Sequence, residues 1–144
     1  MPDHFWADTN VIIRHITGEP QKQAEEVQEI MRHVDEGTFI LHINPMVIAE
    51  CCYVLEAIYE FNKKDISKAL KFFLASEGIE MEEKKETEDA LIVYGQKNVD
   101  FEDAYLAETA RCSSITAIMT FDSKHFKRLN CEYYTPKQLI EVND

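Results

Sequence analysis

The stretch Phe5-Trp6-Ala7-Asp8-Thr9-Asn10-Val11-Ile12-Ile13 runs from apolar side chains into a carboxylate and two small polar residues, then returns to apolar ones. A short apolar segment that stops at Asp, Thr and Asn before a helical repeat reads as a buried first strand followed by a helix. Asp8 is then expected at the carboxyl edge of a sheet, where open α/β folds hold their ligands. Ile115 to Phe121 (ITAIMTF) repeats the signal, an apolar strand ending in Asp122.

Working outward, Thr9 to Thr17 reads as a short helix stopped by Gly18-Glu19-Pro20. Ala24, Val27, Ile30, Met31 and Val34 form a 3.6-residue stripe over Pro20 to Glu36, which Gly37 terminates. Thr38 to Ile43 (TFILHI) is rich in β-branched and aromatic residues and predicts the second strand. Asn44-Pro45 opens a helix that is apolar almost all round from Met46 to Tyr59, so that helix is expected to be central. A further helix follows Lys64-Asp65 through Phe72, Phe73 and Leu74 to Gly78, and Ile79 to Met81 is a short third strand. Glu82 to Glu88 reads as a solvated charge run before a helix at Ala90 to Tyr94. Asp100 begins the next helix, with Phe101, Ala104, Tyr105, Leu106, Ala107 and Ala110 on one face. Cys131 to Tyr134 predicts a last strand, and Pro136 to Val142 a terminal helix. Strands alternating with helices predict an α/β fold: a three-layer α/β/α sandwich around a mainly parallel, roughly five-stranded sheet, in one domain over residues 1–144.

With 144 residues, 45% of them hydrophobic, the chain is long enough to bury a normal core, which excludes a disordered segment. No apolar run approaches the roughly 20 residues of a membrane span. Met1-Pro2-Asp3-His4 lacks the pattern of a signal peptide, so a cytoplasmic protein without a membrane partner is expected. The four cysteines have no CxxC spacing, and Cys51-Cys52 falls in an apolar helical pattern, as reduced core thiols do. The formal net charge of −12, from 15 Lys and Arg against 27 Asp and Glu, argues against broad binding to phosphate backbones. It leaves a nuclease open, because a site that holds divalent ions with carboxylates is acidic and the ions reverse the local sign.

Asp8 and Asp122 each end an apolar strand, Glu50 comes early in the helix after the second strand, and Asp103 sits in the first turn of the helix before the fourth. Four acids from four elements can surround one point, where like charges would raise one another's pKa unless cations neutralise them. Oxygen-only ligands of this kind suit Mg²⁺ or Mn²⁺ rather than zinc. Such ions activate water and hold a phosphodiester in line, which makes hydrolysis without a covalent intermediate the chemistry to expect.

Each acid also has a purely structural reading. Asp8 or Thr9 could cap the first helix, Asp100 with Asp103 resembles a capping pair, and Asp122 could cap a short turn. Glu50 resists such a reading, since a carboxylate among Ile48, Ala49, Cys51 and Cys52 is costly to bury without a partner. The five histidines are scattered without ligand spacing and read as surface or core residues. Lys124, His125, Lys127 and Arg128 form the best local basic patch, either a solvated helix or a contact for a nucleic-acid backbone. Two other functions compete: an aspartyl phosphatase with Asp8 as nucleophile, although Asn10 stands where its second acid is expected, and a non-catalytic acidic module for a basic partner.

Taken together, DTNVIIR from Asp8, INPMVIAECCYVL around Glu50, ALIVYGQKNVDFEDAYLAETA around Asp103 and ITAIMTFD ending at Asp122 resemble the PIN-domain family, in particular VapC-type toxins. The resemblance implies a Mg²⁺- or Mn²⁺-dependent ribonuclease that cleaves RNA, with Asp8, Glu50, Asp103 and Asp122 as catalytic, metal-binding acids. It implies supporting roles for Thr9, Asn10 and Thr120, a homodimer, and a cognate antitoxin protein whose C-terminal segment covers the acidic groove. The segment Arg111-Cys112-Ser113-Ser114 departs from the pattern by lacking a glycine, and the strong net acidity departs from it too.

Overall fold

In the computed structural model, which describes residues 1–143, the expected strands and helices form, and they group into two compact units, Met1–Lys84 and Lys85–Asp144. The first unit holds β1 (Asp3–Trp6), α1 (Thr9–Thr17), α2 (Gln21–Asp35), β2 (Phe39–His42), α3 (Pro45–Ala57), α4 (Lys63–Leu74) and β3 (Ile79–Glu80). Its sheet has the order β1-β2-β3, all parallel, with Asp3 opposite Phe39 and Leu41 opposite Ile79. Helix boundaries follow local chemistry. Gly18 ends α1 in the left-handed conformation at φ 73°, which costs glycine no Cβ strain. Asn44 caps α3 by accepting the Met46 N–H at 2.8 Å, with Pro45 in the first turn.

β1 departs from the expected buried strand. It ends at Trp6, two residues before Asp8, and all four of its residues are exposed. Alternate side chains leave the strand on opposite faces. Phe5 lies edge-on to Phe39 in an open apolar cleft of about 350 Å³, also lined by Val27 and Ile30, and stays 49% exposed. Trp6 lies beside His42 and is 73% exposed. Ala7 extends the ladder by one hydrogen bond to the His42 carbonyl, and Asp8 then turns into α1. The all-round burial expected of α3 is also only partial. Ile48, Cys51, Cys52 and Leu55 are buried, whereas Met46, Tyr53 and Ile58 face solvent.

The second unit follows α5 (Lys84–Lys97) with α6 (Phe101–Arg111), β4 (Ala117–Met119), α7 (Ser123–Arg128), β5 (Glu132–Tyr134) and α8 (Pro136–Asn143). Helix α5 begins earlier than the expected Ala90 and takes in most of the charge run that precedes it. Lys and Glu are good helix formers, and Lys85 pairs with Asp89 one turn on at 2.9 Å. β4 is shorter than the expected Ile115 to Phe121: Ala117 to Met119 lie in parallel register with Glu132 to Tyr134 of β5, and the ladder ends where the Thr120 N–H donates to the Tyr134 carbonyl at 2.9 Å. Five parallel strands are present among the described residues, but in two small sheets of three and two strands rather than in the one central sheet of a three-layer sandwich that the sequence predicts, because β4 and β5 pair only with each other. Among the described residues no helix is long and apolar enough to cross a membrane, and the four cysteines form no disulfide.

Candidate functional site

In the first unit, Asp8 occupies the N-cap position of α1 with extended backbone, yet its side chain makes no capping hydrogen bond and is exposed. The carboxylate is thus not consumed by helix capping. Thr9 is buried, and its hydroxyl donates to Glu50 Oε2 at 2.9 Å, which joins the start of α1 to α3. The cost expected for burying Glu50 does not arise: it stands on the exposed face of α3 while the adjacent Cys51 and Cys52 point inward. The Cys51 thiol is pushed up to about 12, first by burial and then by the negative charges of Glu50 and Asp8, so both acids bear on one buried point. That thiol is inert as a nucleophile or ligand at neutral pH. Asn10 is exposed on α1. Arg14 donates through Nε to Gln23 Oε1 at 2.8 Å, tying α1 to α2.

The second unit holds the other two acids. Asp100 is the N-cap residue of α6, and Asp103 lies in that helix's first turn. Asp122 is the N-cap of α7, so the capping alternative is realised here: its Oδ1 accepts the His125 N–H at 3.1 Å. The Asp122 N–H donates to the Thr120 hydroxyl oxygen at 2.9 Å, which fixes the turn after β4. The remaining carboxylate oxygen, Oδ2, lies 2.6 Å from His125 Nδ1, and the same nitrogen is 3.9 Å from Asp103 Oδ2. Donor atoms of Asp103, Asp122 and His125 all fall within 4.8 Å of one another.

The electrostatics of the two acids diverge. Asp103 is pushed above the ordinary carboxylate value by burial and by the charges of Asp100 and Asp122, with His125 opposing. Asp122 is held below it, first by the His125 backbone N–H and then, against some desolvation, by the imidazole. The three donor atoms lie close enough for one ion, and two carboxylates with an imidazole form a donor set that a divalent metal fits. His125, which the sequence places only in a basic patch and among histidines without ligand spacing, is the residue here whose place beside the acids the sequence pattern does not show. Its signal was the three-residue spacing from Asp122, which becomes one helical turn only when α7 starts at Ser123. Around this turn Lys97 Nζ donates to the Arg128 carbonyl and Arg111 to the Leu129 carbonyl, so basic side chains cap the end of α7. Lys124, Lys127 and Arg128 are exposed.

Two comparisons show what the chain is similar to. A family model described as PIN domain matches residues 7–130, a span that includes all four acids. A protein described as VapC ribonuclease, from Aquifex aeolicus (strain VF5), is 25% identical over 129 residues, covering 90% of this chain and 94% of that protein.

Proposed function

Because the chain belongs to the PIN-domain family, we propose that it is a metal-dependent endoribonuclease that hydrolyses RNA phosphodiesters and serves as the toxin of a toxin–antitoxin pair. In this reading Asp8, Glu50, Asp103 and Asp122 are the working carboxylates, and Thr9, Asn10 and Thr120 support them. We take residues 1–144 as a single PIN-like domain. A family match running through residues 7–130, and so through both units, supports that reading.

The observation that carries the proposal is the meeting of Asp103 and Asp122 with donor atoms inside 4.8 Å, in a chain that matches the family along most of its length. A bound Mg²⁺ or Mn²⁺ would neutralise these charges, polarise the phosphoryl group and lower the pKa of an attacking water. The chain's own part is to present charged, oriented oxygens. Thr9 holds Glu50 by its hydroxyl, while Thr120 and the His125 N–H hold the Asp122 turn. A carboxylate of the set can take the proton released by the water. The likeness to the VapC ribonuclease supports RNA as substrate and a cognate antitoxin as partner. Exposed Met46, Tyr53, Ile58 and Phe72 offer apolar surface to a second copy, and we place the protein in the cytoplasm.

Asp8→Asn and Asp103→Asn test the assignment. Each is expected to retain the far-ultraviolet circular dichroism of the parent and to lose Mg²⁺- or Mn²⁺-dependent RNA cleavage by more than the roughly 10–100-fold that removing a mere supporting partner costs. Undiminished cleavage by either variant would overturn it. Trapping phosphate on Asp8 would instead favour the phosphatase chemistry, and an absence of saturable metal binding would favour a binding module.

A further inference from the structure

We propose that His125 is itself a metal ligand, making the Asp103–Asp122 pair a mixed oxygen–nitrogen centre that selects Mn²⁺ over Mg²⁺. The inference rests on the metal-dependent reading above and narrows it. Its first support is position. The imidazole Nδ1 faces both carboxylates, at 2.6 Å from Asp122 Oδ2 and 3.9 Å from Asp103 Oδ2. An octahedral ion with ligands about 2.1 Å away sets neighbouring ligand atoms about 3 Å apart and opposed ones about 4.2 Å apart. The 3.9 Å contact lies within that range and the 2.6 Å contact just below it.

A second support is division of labour at Asp122. Helix capping uses only Oδ1 and the His125 backbone N–H. The contact between Oδ2 and the ring is therefore surplus to the cap, and it leaves one oxygen and one nitrogen side by side beside Asp103. Other histidines are occupied differently. His4 and His42 bond each other at 2.8 Å, and His15 and His33 pack against Phe73 and Phe39. Among the described residues, His125 is the histidine whose ring joins a group of three possible ligands.

Donor type then sets the selectivity. Carboxylates serve Mg²⁺ and Mn²⁺ alike, whereas an imidazole nitrogen strengthens binding of first-row transition ions and gains little with Mg²⁺, which keeps its waters.

The test is pulsed electron paramagnetic resonance on the Mn²⁺-loaded full chain, together with Mn²⁺ and Mg²⁺ titrations. The wild type is expected to show ¹⁴N coupling to Mn²⁺, retained in His42→Ala and lost in both His125→Ala and His125→Gln. The glutamine variant keeps the backbone cap and guards against a local folding defect. Mn²⁺ affinity is expected to fall about 10-fold or more in the His125 variants, as for loss of a ligand or its close partner, with Mg²⁺ affinity shifting less than about 2-fold. Bound Mn²⁺ without nitrogen coupling, coupling that survives in the His125 variants, or equal losses for both ions would overturn the ligand assignment alone. An absence of saturable Mn²⁺ binding to the wild type would overturn it together with the metal-dependent reading.

Discussion

The two pairs of acids are held in opposite ways. In the first unit, Glu50 is satisfied by a neutral donor, the Thr9 hydroxyl, and both Thr9 and Glu50 ride on helices anchored by fully buried Ile12, Ile13, Ile48 and Leu55. In the second, Asp103 and Asp122 crowd each other and an imidazole on a frame of short elements, a three-residue β4 and a six-residue α7, with Ile115, Met119 and Phe121 exposed around them. Glu50 thus has a partner without a cation. In the second, Asp103 is pushed up first by burial and then by the charges of Asp100 and Asp122, both of which a cation would offset. The contrast divides labour between a stiff frame and a metal-responsive cluster, and three measurements bear on it.

The largest effect is expected from Leu55→Ala. Leu55 is fully buried on the helix that carries Glu50, and truncating such a side chain costs about 2–5 kcal/mol through lost transfer energy and the cavity left behind. Chemical denaturation reads this directly. Native-state hydrogen exchange should in parallel find α3 amides opening only with the whole unit, and the three-residue pairing of β4 with β5 opening more easily. A cost below about 1 kcal/mol, typical of a surface change, would break the picture of a stiff first unit.

A smaller effect is expected from Thr9→Val, which removes the donor to Glu50 while keeping the shape of the side chain. Glu50 is exposed and water can replace the hydroxyl, so the loss should stay near the net worth of one hydrogen bond, about 1 kcal/mol. RNA cleavage should fall more than stability does, by about 10-fold or more, because the acid loses its orientation. A change in stability with no change in cleavage would make the contact purely structural.

How much of this was legible in the sequence depended on whether the deciding signal was local. The bounds of α1 could be read because Gly18 supplies the left-handed stop. The ends of β4 could not, because strand length is set by the partner, and β5 offers register for only three residues. The apolar neighbours of Glu50 in sequence do not tell that it stands on the solvent side of α3, because an apolar count does not say that Met46, Tyr53 and Ile58 face water. The acids themselves were visible as strand ends and first-turn positions, and the pairing of Asp103 with Asp122 followed from those placements. The contact of His125 with both acids was not, since it depends on where α7 begins and how that helix lies against α6.

The smallest effects are those of pH, and they should differ in sign between the units. Asp103 holds its proton more tightly in the folded protein than in the unfolded chain. Stability therefore falls as pH rises from the ordinary value of 3.8 through the raised folded one, and the penalty persists at neutral pH in the absence of metal. Asp103→Asn should accordingly raise the thermal midpoint of the metal-free protein near neutrality, though it abolishes cleavage. His15, in the first unit, is shifted down by burial, with the Asp35 charge opposing, so the folded state resists its protonation. Stability from that source is lost as pH falls below the ordinary 6.5 toward the lowered value, and His15→Leu should flatten this part of the profile. Thermal midpoints measured with chelator across both windows separate the two groups. A midpoint lowered by Asp103→Asn near neutral pH would mean that the second acid pair is already compensated without a cation, and the contrast between the units would fail at its electrostatic root.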